Sequence, residues 1–334
     1  MNEINSSAVK AAITAVGAYL PEDKLTNADL EKMVDTNDEW IVARTGIKER
    51  RILKDPSKGT SFMAIKAAQD LIKKKKIDPK EIDMVIMATI TPDMNVAATA
   101  AHVATSLGAT NAFGYDLQAA CSGFLFGMST ASAMISSRRY KKILLIGADK
   151  MSSIVNYNDR TTCIIFGDGA GAVLFEPSSN GFGWEDEYLR SDGNGRKFLN
   201  IQAGGSLHPT TETTLREGMH NLYQDGKNVF KYAVSEMTQA VEKIVARNEI
   251  NTADLAYLVP HQANKRIIDA IASRMDLPQE KVMTNIANYG NTTAATLPLL
   301  LKDYESKLKP GDPLIFAAFG GGFTWGAAYL TWAY

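Results

Sequence analysis

The sequence of 334 residues predicts an α/β protein folded in two matching halves. Three observations lead there. Apolar runs of strand length alternate with helical patterns, the mark of parallel βαβ units whose helices cover a sheet. A loop-rich stretch, Ser178–Thr214, breaks that alternation near the middle of the chain. Each half then closes on a similar segment of strand, glycines and strand. The first is Ile164–Leu174, containing Phe166-Gly167-Asp168-Gly169-Ala170-Gly171-Ala172. The second is Ala317–Ala328, containing Phe319-Gly320-Gly321-Gly322-Phe323-Thr324-Trp325-Gly326. The division falls near Pro177–Gly181 and gives halves of residues 1–178 and 179–334.

The elements follow in order. Ala11–Tyr19 reads as a strand, and Thr26 or Asn27 can cap a short helix over Asn27–Val34. Ser61–Lys75 reads as a helix ending in Lys73-Lys74-Lys75-Lys76, where the helix dipole favours cations. Met84–Ile90 is an unbroken apolar run, the pattern of a strand buried on both faces. A small-residue helix over Ala97–Leu107, a strand over Ala112–Leu117, a helix over Ser122–Ser137 and a strand over Lys142–Ala148 complete the alternation. Past the middle stretch come a helix at Val229–Arg247, a strand at Ala256–Val259 and a helix at Lys265–Arg274. Thr293–Leu308 is a further helix, and Leu314–Phe319 and Ala327–Trp332 are strands. Gly167–Gly171 lacks the Lys-Ser/Thr of a phosphate loop and precedes a strand, so it reads as a turn that Asp168 can cap.

Composition excludes several classes. A net charge of -1 creates no global field toward nucleic acid or membrane surfaces. Two cysteines, Cys121 and Cys163, cannot build a disulfide framework and fit a reducing compartment. Met1–Asn5 lacks the basic and apolar regions of a signal peptide, and glycines interrupt the apolar stretch Leu314–Leu330. A cytoplasmic protein is expected, with no nucleic-acid or membrane partner.

Cys121 is the candidate nucleophile. It sits where a strand pattern meets a helical one, among the small residues Ala119, Ala120, Ser122 and Gly123. A helix N-terminus offers unpaired N–H groups and a positive dipole end, both of which favour the nucleophilic thiolate. The alternative is an inert buried thiol. His261 follows the strand pattern Leu258-Val259-Pro260, and strand C-termini are where open α/β sheets present functional groups. His102 lies in an alanine-rich helix, while His208 and His220 lie in the loop-rich middle. Asn291 follows Gly290 at a bend before a helical run. All three candidates therefore occupy junctions between elements.

Papain-like proteases share the order Cys, His, Asn. His261 lies 140 residues after Cys121, within their approximate spacing of about 130–150. Their nucleophile is flanked by Cys-Gly-Ser/Ala and Trp/Tyr, whereas Ala120 and Ser122-Gly123 flank Cys121.

Six signatures taken together resemble the β-ketoacyl-acyl-carrier-protein synthase III family of the thiolase-like superfamily. They are Asp38–Ile47, Ala119–Phe124, Phe166–Ala172, Val259–Asn264, Tyr289–Thr292 and Phe319–Gly326. The resemblance implies a duplicated thiolase-like five-layer α/β/α/β/α fold and a homodimer. It implies condensation of an acyl-CoA primer with malonyl-acyl-carrier protein, initiating type II fatty-acid synthesis, with no cofactor and no metal. Cys121 would carry the acyl group, and His261 and Asn291 would stabilise the enolate. The N–H groups of Cys121 and Gly321 would form the oxyanion hole. Trp40 and Arg160 would sandwich the CoA adenine, and Arg44 would hold the phosphates or the pantetheine entrance. Gln262, Lys265, Arg266 and Arg274 would meet the acyl-carrier protein. Val96 and Phe319 would line the primer pocket. Val96 is smaller than the phenylalanine of acetyl-preferring members, which implies longer or branched primers. A related acyltransferase, a condensing enzyme of secondary metabolism and a non-catalytic scaffold are the other readings of the same fold.

Overall fold

Nine of the thirteen described strands form the two main sheets, and seven of the ten α-helices make layers around and between them in a computed structural model that describes residues 9–334. Met1–Asn5, read above for a leader, lies outside the described residues. The first sheet contains β1 (Ala11–Tyr19), β2 (Met84–Ala88), β3 (Phe113–Leu117), β4 (Ile143–Asp149) and β5 (Gly169–Pro177), in the order β1-β5-β4-β2-β3. Strand β2 runs parallel to β3 and β4, while β5 is antiparallel to β1 and β4. Both β2 and β4 are buried at every position, which is why they read as unbroken apolar runs. The second sheet contains β6 (Trp184–Ser191), β7 (Tyr257–Pro260), β8 (Pro313–Gly320) and β9 (Thr324–Thr331), in the order β7-β8-β9-β6. Its β7 and β8 are parallel and its other pairs antiparallel.

The helices are α1 (Asp38–Thr45), α2 (Thr60–Lys75), α3 (Thr99–Leu107), α4 (Gly123–Ser136), α5 (Gly226–Arg247), α6 (Lys265–Arg274) and α7 (Thr296–Tyr304). Met63 and Leu71 of α2 and Val103 of α3 pack on Val85 and Leu144 of the first sheet. Met237 of α5 and Ile271 of α6 pack on Ile315 of the second. Phe124 and Met128 of α4 share a cluster with Leu297 and Leu300 of α7, with Ile86 and Leu145 of one sheet and with Val259 and Phe316 of the other. Helices α4 and α7 are thus the middle of five layers, and the fold is the expected α/β/α/β/α arrangement.

Some elements differ from their sequence reading. Strand β6 lies inside the stretch expected to be loop. Its residues Glu185-Asp186-Glu187 are polar because it is an edge strand whose positions are only partly buried. Ile164–Leu174 is no hairpin: Phe166 makes an isolated bridge to Asn291 of the other half, and β5 begins at Gly169. The helix expected over Thr293–Leu308 opens with a separate tight turn, Thr293–Ala295, before α7. The Asp168 carboxylate ties two distant loops, accepting from Leu53 N (2.8 Å), Ser152 N (2.8 Å) and Ser152 Oγ (2.6 Å).

The halves meet through directed bonds. Gly167 N donates to Asn291 O (3.0 Å) and Asn291 N to Ile165 O (2.9 Å). Thr324 Oγ1 donates to Ala119 O (2.8 Å), and Ser122 Oγ donates to Thr324 O (2.8 Å). A Cβ on Gly147 would stand 2.3 Å from Ala294 O, so only glycine lets β4 come so close to the Thr293 turn.

Candidate active site

The loop after β3 enters α4 through a tight turn, Ala120–Ser122, with Cys121 at its centre. Ala120 sits in the left-handed region at φ 47°, a conformation that costs roughly 1–2 kcal/mol for a residue bearing a Cβ. The surroundings hold it there. A Cβ on Gly320 would lie 2.7 Å from Cys121 N and 3.0 Å from Ala119 O, so the end of β8 presses directly on the turn. The thiol is buried. Burial, then the Asp149 carboxylate, pushes it up to about 12, while hydrogen bonds from its own backbone and from the Asn291 side chain pull it down. The expected preference for thiolate at the helix terminus is therefore corrected. In the resting site, desolvation outweighs the amides of α4, and the thiol is the stable form.

His261 follows β7 and donates its backbone N–H to Ala317 O (2.8 Å). The ring is buried, and burial pushes it down to about 3, so the imidazole is neutral. Its Nδ1 lies 2.7 Å from Thr296 Oγ1, while Nε2 is buried with no hydrogen-bond partner. Asn291 is also buried, and its Oδ1 accepts from Thr293 N (2.9 Å), which leaves the amide N–H groups free for other contacts. Cys121, His261 and Asn291 line one cavity of about 570 Å³, together with Phe319.

The opposite character prevails where that lining is exposed. Arg44, Arg160, Lys227 and Arg266 are exposed, and no carboxylate lines the cavity. The Trp40 ring carries Arg44 at 5.1 Å and Arg160 at 5.5 Å from its centroid. Two flat stacks at about 3.5–4 Å each need roughly 7–8 Å between the outer planes. Arg160 therefore has to swing outward before a base could lie between it and Trp40. Its present anchor is Asp35 O, at 2.8 Å.

Other expected residues divide. Arg266 lines the cavity and lies over the Phe230 ring at 4.9 Å. Lys265 pairs with Asp269 (2.6 Å) and Arg274 with Glu242 (2.7 Å), and both remain exposed. Gln262 does not fit a docking surface. It is fully buried: its Nε2 donates to Pro260 O, and its Oε1 accepts from Asn285 N and Ile286 N. Its neighbour His261 points into the cavity, and Gln262 points into the fold to satisfy those backbone groups. Val96 is also corrected. It is 98% exposed on the loop before α3 and does not line the cavity of its own chain. Nothing within this chain thus ties its size to primer length. Gly321 follows the residue that abuts Cys121 N and sits beside Leu199.

The sequence reading missed Lys227, the Val229–Met237 face of α5, Asp149, Thr293 and Thr296. Amphipathic spacing in α5 marked a buried face without showing that part of it faces a cavity. No group of three or more His, Cys, Asp or Glu among the described residues is placed to hold a metal ion.

Five layers with Cys121 in the turn that enters the central helix define the thiolase-like class. Residues 115–193 match the family described as 3-oxoacyl-(acyl-carrier-protein) synthase III, and residues 245–332 match its C-terminal part. A β-ketoacyl-(acyl-carrier-protein) synthase III of Phocaeicola vulgatus is 54% identical over 326 residues, covering 98% of each chain. That of Porphyromonas gingivalis is 52% identical over 334 residues, covering 100% of this chain and 98% of its own. The crystal structure of 3-oxoacyl-(acyl-carrier-protein) synthase III from Aquifex aeolicus superposes with a TM-score of 0.89 at 38% identity, covering 96% of this chain and 100% of that one. The chain belongs to the 3-oxoacyl-(acyl-carrier-protein) synthase III family.

A thiol held up by burial predicts a simple alkylation profile. The rate of Cys121 modification by iodoacetamide should climb about tenfold per pH unit from about pH 7 to 9, because only the thiolate reacts. A plateau below about pH 8 would contradict this account of the resting thiol.

Proposed function

We propose that the chain joins an acyl-CoA primer to malonyl-acyl-carrier protein with loss of carbon dioxide, the condensation that initiates type II fatty-acid synthesis. It is an acyltransferase-type condensing enzyme. In this reading Cys121 Sγ attacks the primer thioester, and its proton leaves with the CoA sulfur as CoA departs. Malonyl-acyl-carrier protein follows. Its carboxylate leaves as carbon dioxide, and the bonding pair moves to the thioester oxygen as an enolate. The enolate carbon attacks the acyl-Cys121 carbonyl, whose oxygen rests on the N–H groups of Cys121 and Gly321. Collapse of that adduct frees the Cys121 sulfur, which takes up a proton, and releases 3-oxoacyl-acyl-carrier protein.

One observation carries the assignment of the second step: the buried, unpartnered Nε2 of neutral His261 in the same cavity as the Asn291 amide. A neutral ring with an unpartnered Nε2 and a neutral amide whose N–H end is held only by the Cys121 sulfur suit an oxygen that becomes negative only during reaction. For His261 to donate, its proton must sit on Nε2, and Nδ1 must then accept from the Thr296 hydroxyl. The four lining cations support a polyanionic substrate such as CoA. Trp40, Arg44 and Arg160 would hold its nucleotide end, and Arg266, with Lys265 and Arg274 on the rim, would meet the acidic carrier.

No described helix is long and apolar enough to cross a membrane. Both cysteines are free and buried, which supports a cytoplasmic setting. A homodimer would pair through β3, the free edge of the first sheet. Phe113 is exposed there beside Tyr140, and Met94 and Val96 expose apolar surface on the loop leading to α3, whose N-terminus the β3 residue Asp116 caps.

His261→Ala and Asn291→Ala should each still form acyl-Cys121 by intact-mass spectrometry. Each should release carbon dioxide from malonyl-acyl-carrier protein about 10²–10³-fold more slowly. Because burial holds His261 neutral down to about pH 3, wild-type decarboxylation should show no ionisation near the free-histidine value of about 6.5. Normal decarboxylation by either variant, or a limb near that pH, would overturn the assignment. For the dimer, Phe113→Asp should sediment as a monomer where the wild type sediments as a dimer. A wild-type monomer would refute the pairing.

A further inference from the structure

Thr293 touches the machinery on both sides without lining the cavity. It is buried and holds φ 52°, a left-handed backbone that is strained for a β-branched residue. Its backbone N–H donates to Asn291 Oδ1 (2.9 Å) and so fixes which end of that amide is left free. Its carbonyl lies 3.0 Å from Thr296 Oγ1, which lies 2.7 Å from His261 Nδ1. Thr296 has one hydroxyl proton and two neighbours able to take it. If Thr293 O takes it, the His261 proton sits on Nδ1 and Nε2 is a bare lone pair. If His261 Nδ1 takes it, Nε2 carries the proton.

The Thr293 side chain is tied in turn. Its hydroxyl donates to Oδ2 of Asp149, a fully buried carboxylate at the end of β4. The other oxygen of Asp149 accepts from Thr89 Oγ1 (2.9 Å), Ile90 N (2.7 Å), Thr91 N (3.1 Å) and Thr91 Oγ1 (2.9 Å). Asp149 is thereby held at both oxygens, and through it the first half of the chain holds the turn of the second half that contacts Asn291 directly and His261 through Thr296.

We propose that Thr293, locked by Asp149, is a positioning residue that aims the Asn291 amide at the substrate oxygen and holds Thr296 against His261 Nδ1. This rests on the reading above, in which those two groups hold the enolate. The role belongs to the second half-reaction, because in that reading the carbonyl joined to Cys121 rests on the N–H groups of Cys121 and Gly321 instead.

The experiment measures both half-reactions in the full-length enzyme. Acylation is read by intact mass with acetyl-CoA and isobutyryl-CoA, and decarboxylation by carbon dioxide released from malonyl-acyl-carrier protein. Thr293→Val should lower the decarboxylation kcat about a hundredfold, the effect of a displacement near 1 Å. Its KM and acylation rate should change less than about threefold, a shift too small to signal a lost oriented contact. Thr293→Ser, which keeps the hydroxyl, should restore the rate to within about threefold. Thr296→Val leaves the Asp149 bond intact and should slow decarboxylation about tenfold through His261 alone. It serves if Thr293→Val fails to fold. Wild-type decarboxylation by Thr293→Val or by Thr296→Val, or equal losses in both half-reactions, would overturn the proposal. His261→Ala and Asn291→Ala separate the two levels. If they decarboxylate normally, the functional reading fails. If they do not and Thr293→Val does, only the positioning role fails.

Discussion

The contact between the end of β4 and the turn before α7 is the constraint on which the site depends. Gly147 lets the two backbones approach where any side chain would collide with Ala294 O, and Asp149, two residues on, binds the Thr293 hydroxyl. Cys121 belongs to the first half of the chain, His261 and Asn291 to the second. Nothing local to any of the three brings them together. They share a cavity because this seam, with the bonds from Thr324 to Ala119 and from Ser122 to Thr324, fixes how the halves sit.

The seam also sets the electrostatics. The Asp149 carboxylate that fastens the Thr293 turn adds to the burial that holds the Cys121 thiol up. Burial alone keeps His261 neutral. The result is a neutral thiol, a neutral imidazole and a neutral amide in one cavity whose charged lining residues are exposed cations. In the proposed reaction such a centre would interact weakly with a neutral thioester and strongly with the oxyanion formed from it, which is the difference that accelerates a reaction.

Much of this was legible in the sequence, because the three residues that share the cavity sit at junctions between elements. Cys121, His261 and Asn291 each follow a strand or a glycine bend, and the alternating runs named the layers. What could not be read depends on which way a side chain turns. Gln262 adjoins His261 and points the other way, into Asn285 N and Ile286 N. Val96 sits in a motif-aligned position yet faces outward, because the loop before α3 turns away from the cavity. Strand β6 was hidden by the polar residues that suit a sheet edge. Asp149 lies just past the strand read over Lys142–Ala148, and its four donor groups at one oxygen come from a loop about sixty residues earlier in the chain.

The central claim is that His261 works as a neutral donor through Nε2. Its most direct test is ¹⁵N spectroscopy of the histidine ring in the intact enzyme, read from about pH 5 to about pH 9, the interval in which an ordinary histidine titrates. The account predicts one neutral ring throughout, with the proton on Nε2 and Nδ1 accepting from Thr296. An imidazolium signal assigned to His261 near pH 6, or a proton resident on its Nδ1, would contradict it.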